Sequence, residues 1–217
     1  MIKQNKWKLL ISSILILLPC LFGGIVWNSL PDQMATHWGA DGEVNGWSGR
    51  LFAVLGLPII LLAFHWICIL ITMKDNQSNQ QHKKVFGLIF WIIPVISLYV
   101  NGMIYATAFG VRLNLFMLLF ALIGIGFMVI GNYLPKTKQN RTFGIKISWT
   151  LANEENWNQT HRFAGRLWFI IGLLCLPAAF LPEILRPFAL FALILGAVIP
   201  PILYSYLFYK KQNWKNS

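Results

Sequence analysis

Acidic residues are scarce in this chain. Seven Asp and Glu stand against eighteen Lys and Arg, for a formal net charge of +11. Charge of either sign is thin, at 12% of 217 residues, while 57% are hydrophobic. A soluble domain of this length could not hide so much apolar surface, which excludes an ordinary water-soluble fold. Cysteine is also sparse: Cys20, Cys68 and Cys175 form an odd, scattered set within apolar runs. That set gives neither a disulfide framework nor metal-ligand spacing, and the three read as small buried side chains. There is no His-Glu-x-x-His, no Gly-Lys-Ser/Thr phosphate loop and no paired-carboxylate site within an apolar run. No enzyme, cofactor or metal site is therefore expected.

What the chain does have is long apolar runs: Leu9–Ser29, Leu51–Met73, Val85–Phe109, Asn114–Leu134, Phe163–Leu181 and Phe188–Tyr209. At about 1.5 Å per residue each can cross a hydrocarbon core of about 30 Å, the fifth only with local thinning or snorkelling. Lipid offers no water to the backbone, so such runs must be helical. The expected fold is all-α, a polytopic transmembrane bundle of about six spans, with 1–217 as a single integral membrane domain. The basic start at Lys3, Lys6 and Lys8 mimics a signal peptide, but the apolar run continues past Cys20 without a cleavage pattern. It reads as a retained first helix.

The basic residues supply the orientation. Lys3, Lys6, Lys8, Lys74, Lys83, Lys84, Lys136, Lys138, Arg141, Lys146, Arg162, Arg166, Lys210, Lys211 and Lys215 fall on one side of these spans. Only Arg50, Arg112 and Arg186 fall on the other. The positive-inside bias places both termini in the cytoplasm and makes membrane lipids the first partner. The net charge then needs no nucleic acid to explain it.

Two polar segments remain, 31–50 outside and 135–162 inside. In the outer one, Asp41-Gly42-Glu43-Val44-Asn45-Gly46 overlays half of a calcium loop, but Phe52 stands where the closing glutamate is required. The expectation is a run of tight turns with Asp41 and Glu43 solvated, and with Trp38 and Trp47 folding the loop toward the bilayer. Asp32, Asp41, Glu43, Trp38 and Trp47 would suit a cationic or apolar peptide. In the inner segment, Asn153 reads as a helix N-cap with Glu154 and Glu155 in the first turn, and Trp157 and His161 share a face four residues apart. A surface helix running into the fifth span is expected, beside a basic stretch of Lys136, Lys138, Arg141 and Lys146 facing anionic headgroups. Within the spans, His65, Asn101 and Tyr105 are the polar residues whose burial in lipid demands partners.

The segments also echo one another. Leu30-Pro31 and Ser48-Gly49-Arg50-Leu51 flank the outer segment, and Leu134-Pro135 and Ala164-Gly165-Arg166-Leu167 flank the inner one. With one loop outside and one inside, this suits an inverted repeat of three helices each. Pro19, Pro58, Pro94, Pro177, Pro200 and Pro201 lie within spans, where kinks or short breaks are expected.

The outer PDQMATHWGADGEVNGW resembles the extracellular motif at the start of the SdpI family, a motif first described as a domain of unknown function. The inner segment from Gly131 to Trp168 is similar to that family's signature. It carries Gly144-Ile145-Lys146, then Trp149-Thr150-Leu151, then Trp157 and Thr160-His161-Arg162. The resemblance implies a bacterial cell-membrane protein giving immunity to a secreted killing peptide, which would meet the outer candidates His37, Trp38, Asp41, Glu43, Asn45 and Trp47. It also implies that an ArsR-type winged-helix repressor docks inside. Its docking candidates are Asn132, Pro135, Asn140 and Arg141 together with the signature residues from Gly144 to Arg162 just named. Relatives usually carry Arg-Thr-Pro where this chain has Lys146-Ile147-Ser148, which keeps the charge and loses the guanidinium fork and the proline. A small transporter or lipid-handling protein is the alternative that His65, Asn101 and the proline-bearing spans suggest.

Overall fold

The computed structural model describes residues 2–39, 42–74, 83–111, 114–141 and 143–216. The candidate Asp41 and the outer cation Arg112 lie outside the described residues. The described helices are α1 (Ile2–Ile25), α2 (Leu57–Lys74), α3 (Lys83–Ala108), α4 (Leu115–Tyr133), α5 (Ser148–Ala152), α6 (Glu154–Ala178) and α7 (Arg186–Asn216). An antiparallel hairpin, β1 (Gln33–Trp38) and β2 (Val44–Gly49), lies between α1 and α2.

Five of these helical stretches are long and apolar enough to cross a membrane: Asn5–Ile25, Phe52–Thr72, Gly87–Ala108, Met117–Lys136 and Glu183–Gln212. Large apolar side chains such as Leu21, Ile71, Phe188 and Leu207 point outward along them. Such faces need lipid. The expected fifth span belongs to α6, whose first turns carry Glu154, Glu155 and Arg162. From Phe163 to its end at Ala178, α6 rises about 24 Å. The architecture is the helical, multi-pass one expected. The helices run unbroken through Pro19, Pro94, Pro177, Pro200 and Pro201. The departure from ordinary helix lies instead at Phe52–Gly56, a π-helical stretch opening α2 ahead of Pro58.

The chain divides into two compact units, 1–74 with 83–115, and 75–82 with 116–217. Each holds three long helices.

In the first unit, the outer segment is a hairpin and not the series of tight turns expected from its glycines. Met34 and Ala35 of β1 are fully buried, and Met34 packs with Leu30, Ala53, Val54, Ile104 and Tyr105. The turn chemistry survives in the connection, where Gly42 has φ +82°. Register shifts at Ala35/His37 and His37/Trp38 interrupt the strand alternation, and that hid the strands in the sequence. Below the hairpin, polar groups tie the helices together. Ser12 Oγ pairs with His65 Nε2 at 2.9 Å, Ser97 Oγ donates to the Ile16 carbonyl at 3.1 Å, and Tyr105 donates to the Pro19 carbonyl at 2.7 Å. His65 thus joins two helices, as a buried neutral histidine should.

In the second unit α4 and α6 approach backbone to backbone. A Cβ on Gly124 would stand 2.8 Å from the Gly172 carbonyl, and one on Gly131 would stand 2.8 Å from the Gly165 carbonyl. The two glycine pairs repeat seven residues apart on both helices, so the bare faces stay in register for two turns. Close packing of this kind replaces the hydrophobic driving force that lipid cannot supply. Phe120, Ile171, Cys175, Ala179 and Ala197 fill the adjoining core. Trp168, on the fifth apolar run, donates from Nε1 to the Ala197 carbonyl at 2.8 Å and so links α6 to α7.

Candidate functional site

Two surfaces carry the candidate residues, one in each unit. The outer one is the hairpin. Its fold is set at the base by Arg50, which donates to the Trp27 carbonyl at 2.8 Å, pairs with Asp32 and stacks over the Trp27 ring at 5.1 Å. Asp32 is therefore already neutralised by Arg50 and is not a bare anion awaiting a cationic peptide. Higher up, Thr36 and Ser48 pair at 2.9 Å across the strands. His37 and Asn45 pair near the tip, which spends the Asn45 carboxamide on the fold and not on a cation. His37, Glu43, Asn45 and Trp47 are all exposed, Trp47 at 59%. Trp38 is half-buried and packs against the core beneath the hairpin. Trp47 is thus the large apolar side chain that this face offers, flanked by hydrogen-bonding groups.

The inner surface begins at the end of α4 and returns through α5 into α6. Asn153 caps α6, its side chain accepting from the Asn156 amide at 2.7 Å, with Glu154 and Glu155 in the first turn as expected. Trp157 and His161 then share a face and stack at 4.0 Å. That face turns inward, and both residues are fully buried. Trp157 donates from Nε1 to the Thr137 carbonyl at 2.6 Å. The Ile145 amide donates to His161 Nε2 at 3.0 Å, and His161 Nδ1 donates to the Trp157 carbonyl at 2.8 Å. With Nε2 an acceptor and Nδ1 the donor, the imidazole is neutral and held in one tautomer. Burial lowers its pKa from the ordinary 6.5 to about 4, with the Trp157 carbonyl pulling the other way.

The rest of the signature closes around this pair. Gly144 has φ +120°, and a Cβ there would lie 2.5 Å from His161 Nε2 and 2.9 Å from the Trp157 ring. Thr150 donates to the Ile145 carbonyl at 2.7 Å and accepts from the Ile147 amide at 3.1 Å. Asn140 accepts from the Phe143 amide at 2.7 Å. Asn156, which the sequence reading passed over, accepts from both Thr160 and Ser205 and donates to the Ser205 carbonyl, joining α6 to α7. Ser148 opens α5, the first-turn position where proline is well accommodated. The departure at Lys146-Ile147-Ser148 is therefore compatible with the same turn.

The inner candidates accordingly separate into two groups. Asn140, Thr150, Trp157, Thr160 and His161 are buried. Asn132, Pro135, Arg141, Lys146, Leu151 and Arg162 face outward, and Gly144, Ile145 and Trp149 are half-buried. Trp149 lies against Tyr206 and Tyr209 of α7, with ring centres at 5.1 and 6.2 Å. The buried group shapes the segment; the outward and half-buried residues remain accessible to another molecule. His65 and Asn101 lie buried among the helices of the first unit. Asn101 donates to the Ser97 carbonyl at 2.9 Å, and neither His65 Nδ1 nor Asn101 Oδ1 has a partner among the described residues.

Comparison with known proteins matches these same segments. Residues 136–205, the signature and most of α7, match the SdpI/YfhL protein family. Residues 14–62, the hairpin with its flanking helices, match a domain of unknown function, DUF1648. The likeness to the SdpI/YfhL family thus lies in the carboxyl-terminal half of the chain. It is 23% identical over 210 residues to the protein named Immunity protein SdpI of Bacillus subtilis (strain 168), across 95% of this chain and 98% of that one. No solved structure matches the chain. The SdpI-family segment coincides with the Gly144–Trp157–His161 cluster, so what its motif specifies in this chain is chiefly a folded shape.

Proposed function

We propose that this chain protects the bacterial cell membrane against a secreted killing peptide, which it meets at the exposed face of the outer hairpin. The observation that carries this reading is likeness along nearly the whole chain to a protein named for immunity. The site is His37, Glu43, Asn45 and Trp47, with Trp38 as support; the candidate Asp41 lies outside the described residues. An amphipathic peptide would lay its apolar side against Trp47 and its polar groups against the carboxylates and His37. With both termini cytoplasmic, the hairpin faces outward; a reporter fused to the carboxyl terminus should be active only inside. Cells with and without the gene are challenged with purified killing peptide. Survival of the carrying cells, reduced about tenfold by Trp47→Ala, supports the reading, and equal killing overturns it.

A second role fits the outward-facing inner group. Arg141, Lys146, Leu151 and Arg162, with Asn132 and Pro135, form a basic surface on which a winged-helix repressor of the ArsR type would dock. A repressor encoded beside this gene should move to the membrane only when this protein is present; a repressor that stays cytosolic ends the idea. The unpartnered His65 Nδ1 and Asn101 Oδ1 keep a transport or lipid-handling role in view. A His65→Ala variant that leaves every uptake and resistance phenotype intact argues against it.

A further inference from the structure

The seam between α4 and α6 leaves a groove whose Arg166, Phe169 and Ile170 neither proposed role uses. At Gly165 a Cβ would lie 2.5 Å from Pro135 Cγ and 2.7 Å from the Gly131 carbonyl. The helices therefore touch through bare backbone at this level, and the side chains beside the contact stand apart. Between them is an open groove of about 510 Å³, with Asn132, Pro135, Arg166, Phe169 and Ile170 around the glycine pair. Its height in the membrane follows from α4, whose apolar span ends at Lys136. The groove is thus at the boundary between hydrocarbon and water. Arg166 and Asn132 stand toward its polar end. Phe169 and Ile170, one turn further along α6 and 43% and 53% exposed, continue toward the hydrocarbon.

The chemistry is that of an amphipathic anion. Arg166 and Asn132 are exposed and have no protein partner among the described residues. No carboxylate lines the groove. A guanidinium presents a planar fork of donors that matches phosphate oxygens, and an amide adds another donor. A free phosphate ion would use only that polar end and gain nothing from Phe169 and Ile170. The volume falls within the ~300–1,000 Å³ usual for small-ligand sites, room for a headgroup and the first methylenes of its chains. Basic pockets between membrane helices are a recurrent place for anionic headgroups.

We propose that this groove binds an anionic phospholipid. Its phosphate accepts hydrogen bonds from Arg166 and Asn132, and its first acyl carbons lie along Phe169 and Ile170. The site stands whether or not the immunity reading holds, because it depends only on the second unit and the membrane boundary.

The test uses the purified full-length chain in detergent, with bound lipid counted by native mass spectrometry against added phosphatidylglycerol or phosphatidylcholine. Phosphatidylglycerol should bind preferentially, and Arg166→Gln should weaken it about tenfold while leaving phosphatidylcholine unchanged. Arg166→Lys, which keeps the charge, should retain most of the binding and guards against a folding defect in the glutamine variant. Lys210→Gln, at an exposed cation that does not line the groove, should behave as the parent. Ile170→Trp, which fills the apolar end without touching charge, should also weaken phosphatidylglycerol. The proposal is overturned by equal binding of the two lipids, by equal losses in Arg166→Gln and Lys210→Gln, or by no effect of Ile170→Trp. Full displacement of phosphatidylglycerol by millimolar inorganic phosphate would also overturn it, showing an anion site and not a lipid site.

Discussion

In the outer hairpin Trp47 reaches away from the core, while the hydrogen bonds that make the fold run through Arg50, Asp32, Thr36, Ser48 and the exposed His37–Asn45 pair. In the inner segment the motif residues are themselves the fold: Trp157, Thr160 and His161 are fully buried, and Gly144 closes on them. The motif residues are largely exposed in one place, and in the other they form an internal scaffold. The physical reason is size. A twelve-residue pair of strands has one face to bury and another left over, whereas a polar stretch of nearly thirty residues at a membrane edge must satisfy its own backbone groups. Substitutions in the two regions should therefore fail in different ways.

The largest effect is expected at the glycine seam beneath the inner segment. Gly165→Leu would drive a side chain into Pro135 and the Gly131 carbonyl, destabilising the second unit by about 3 kcal/mol or more. The readout is the yield of monodisperse protein after detergent extraction, and a normal yield with unchanged melting would contradict the close approach. Next comes acid. His161 stays neutral in the fold down to about pH 4, whereas in the unfolded chain it takes up a proton near pH 6.5. The stability tied to its neutral form is complete above pH 6.5 and is lost as pH falls from 6.5 toward 4, by about 3 kcal/mol at most. Melting followed across that window should show the slope in the parent and a smaller one in His161→Gln.

These two expectations also show what was readable beforehand. Apolar run length located five helices long and apolar enough to cross a membrane, because that signal is summed over many residues and survives local exceptions. The Asn153 cap and the shared face of Trp157 and His161 were readable too, since helical spacing is local. What covers that face was not: Thr137, Gly144 and Ile145 come from irregular backbone with no period to follow. The strands were missed because glycines and two register shifts mask alternation. The seam left a usable trace, since Gly124 and Gly131, like Gly165 and Gly172, are seven apart in runs that have to pack within lipid.

Smaller effects sharpen the contrast. Asn153→Ala removes the cap that accepts from the Asn156 amide and should destabilise the start of α6 by about 1 kcal/mol. Faster amide exchange confined to the first turn of α6 is the signature; exchange spread through the whole unit would mean that the cap supports more than its own helix. The smallest change belongs to the hairpin. Trp47→Ala should alter melting by no more than about 0.5 kcal/mol, since the ring is exposed. A large drop would show that Trp47 supports the fold and would erase the distinction between the two regions.

The paired glycines have one more consequence, and it concerns order in time. α4 is made before the polar segment and before α6, so its bare faces at Gly124 and Gly131 have no partner when they first reach the bilayer. At about 5–20 residues per second of synthesis, the Gly165 and Gly172 faces follow only after a delay of seconds. During that interval α4 is a notched helix in lipid, and the long inner segment acts as the tether that sets how soon the notch is closed.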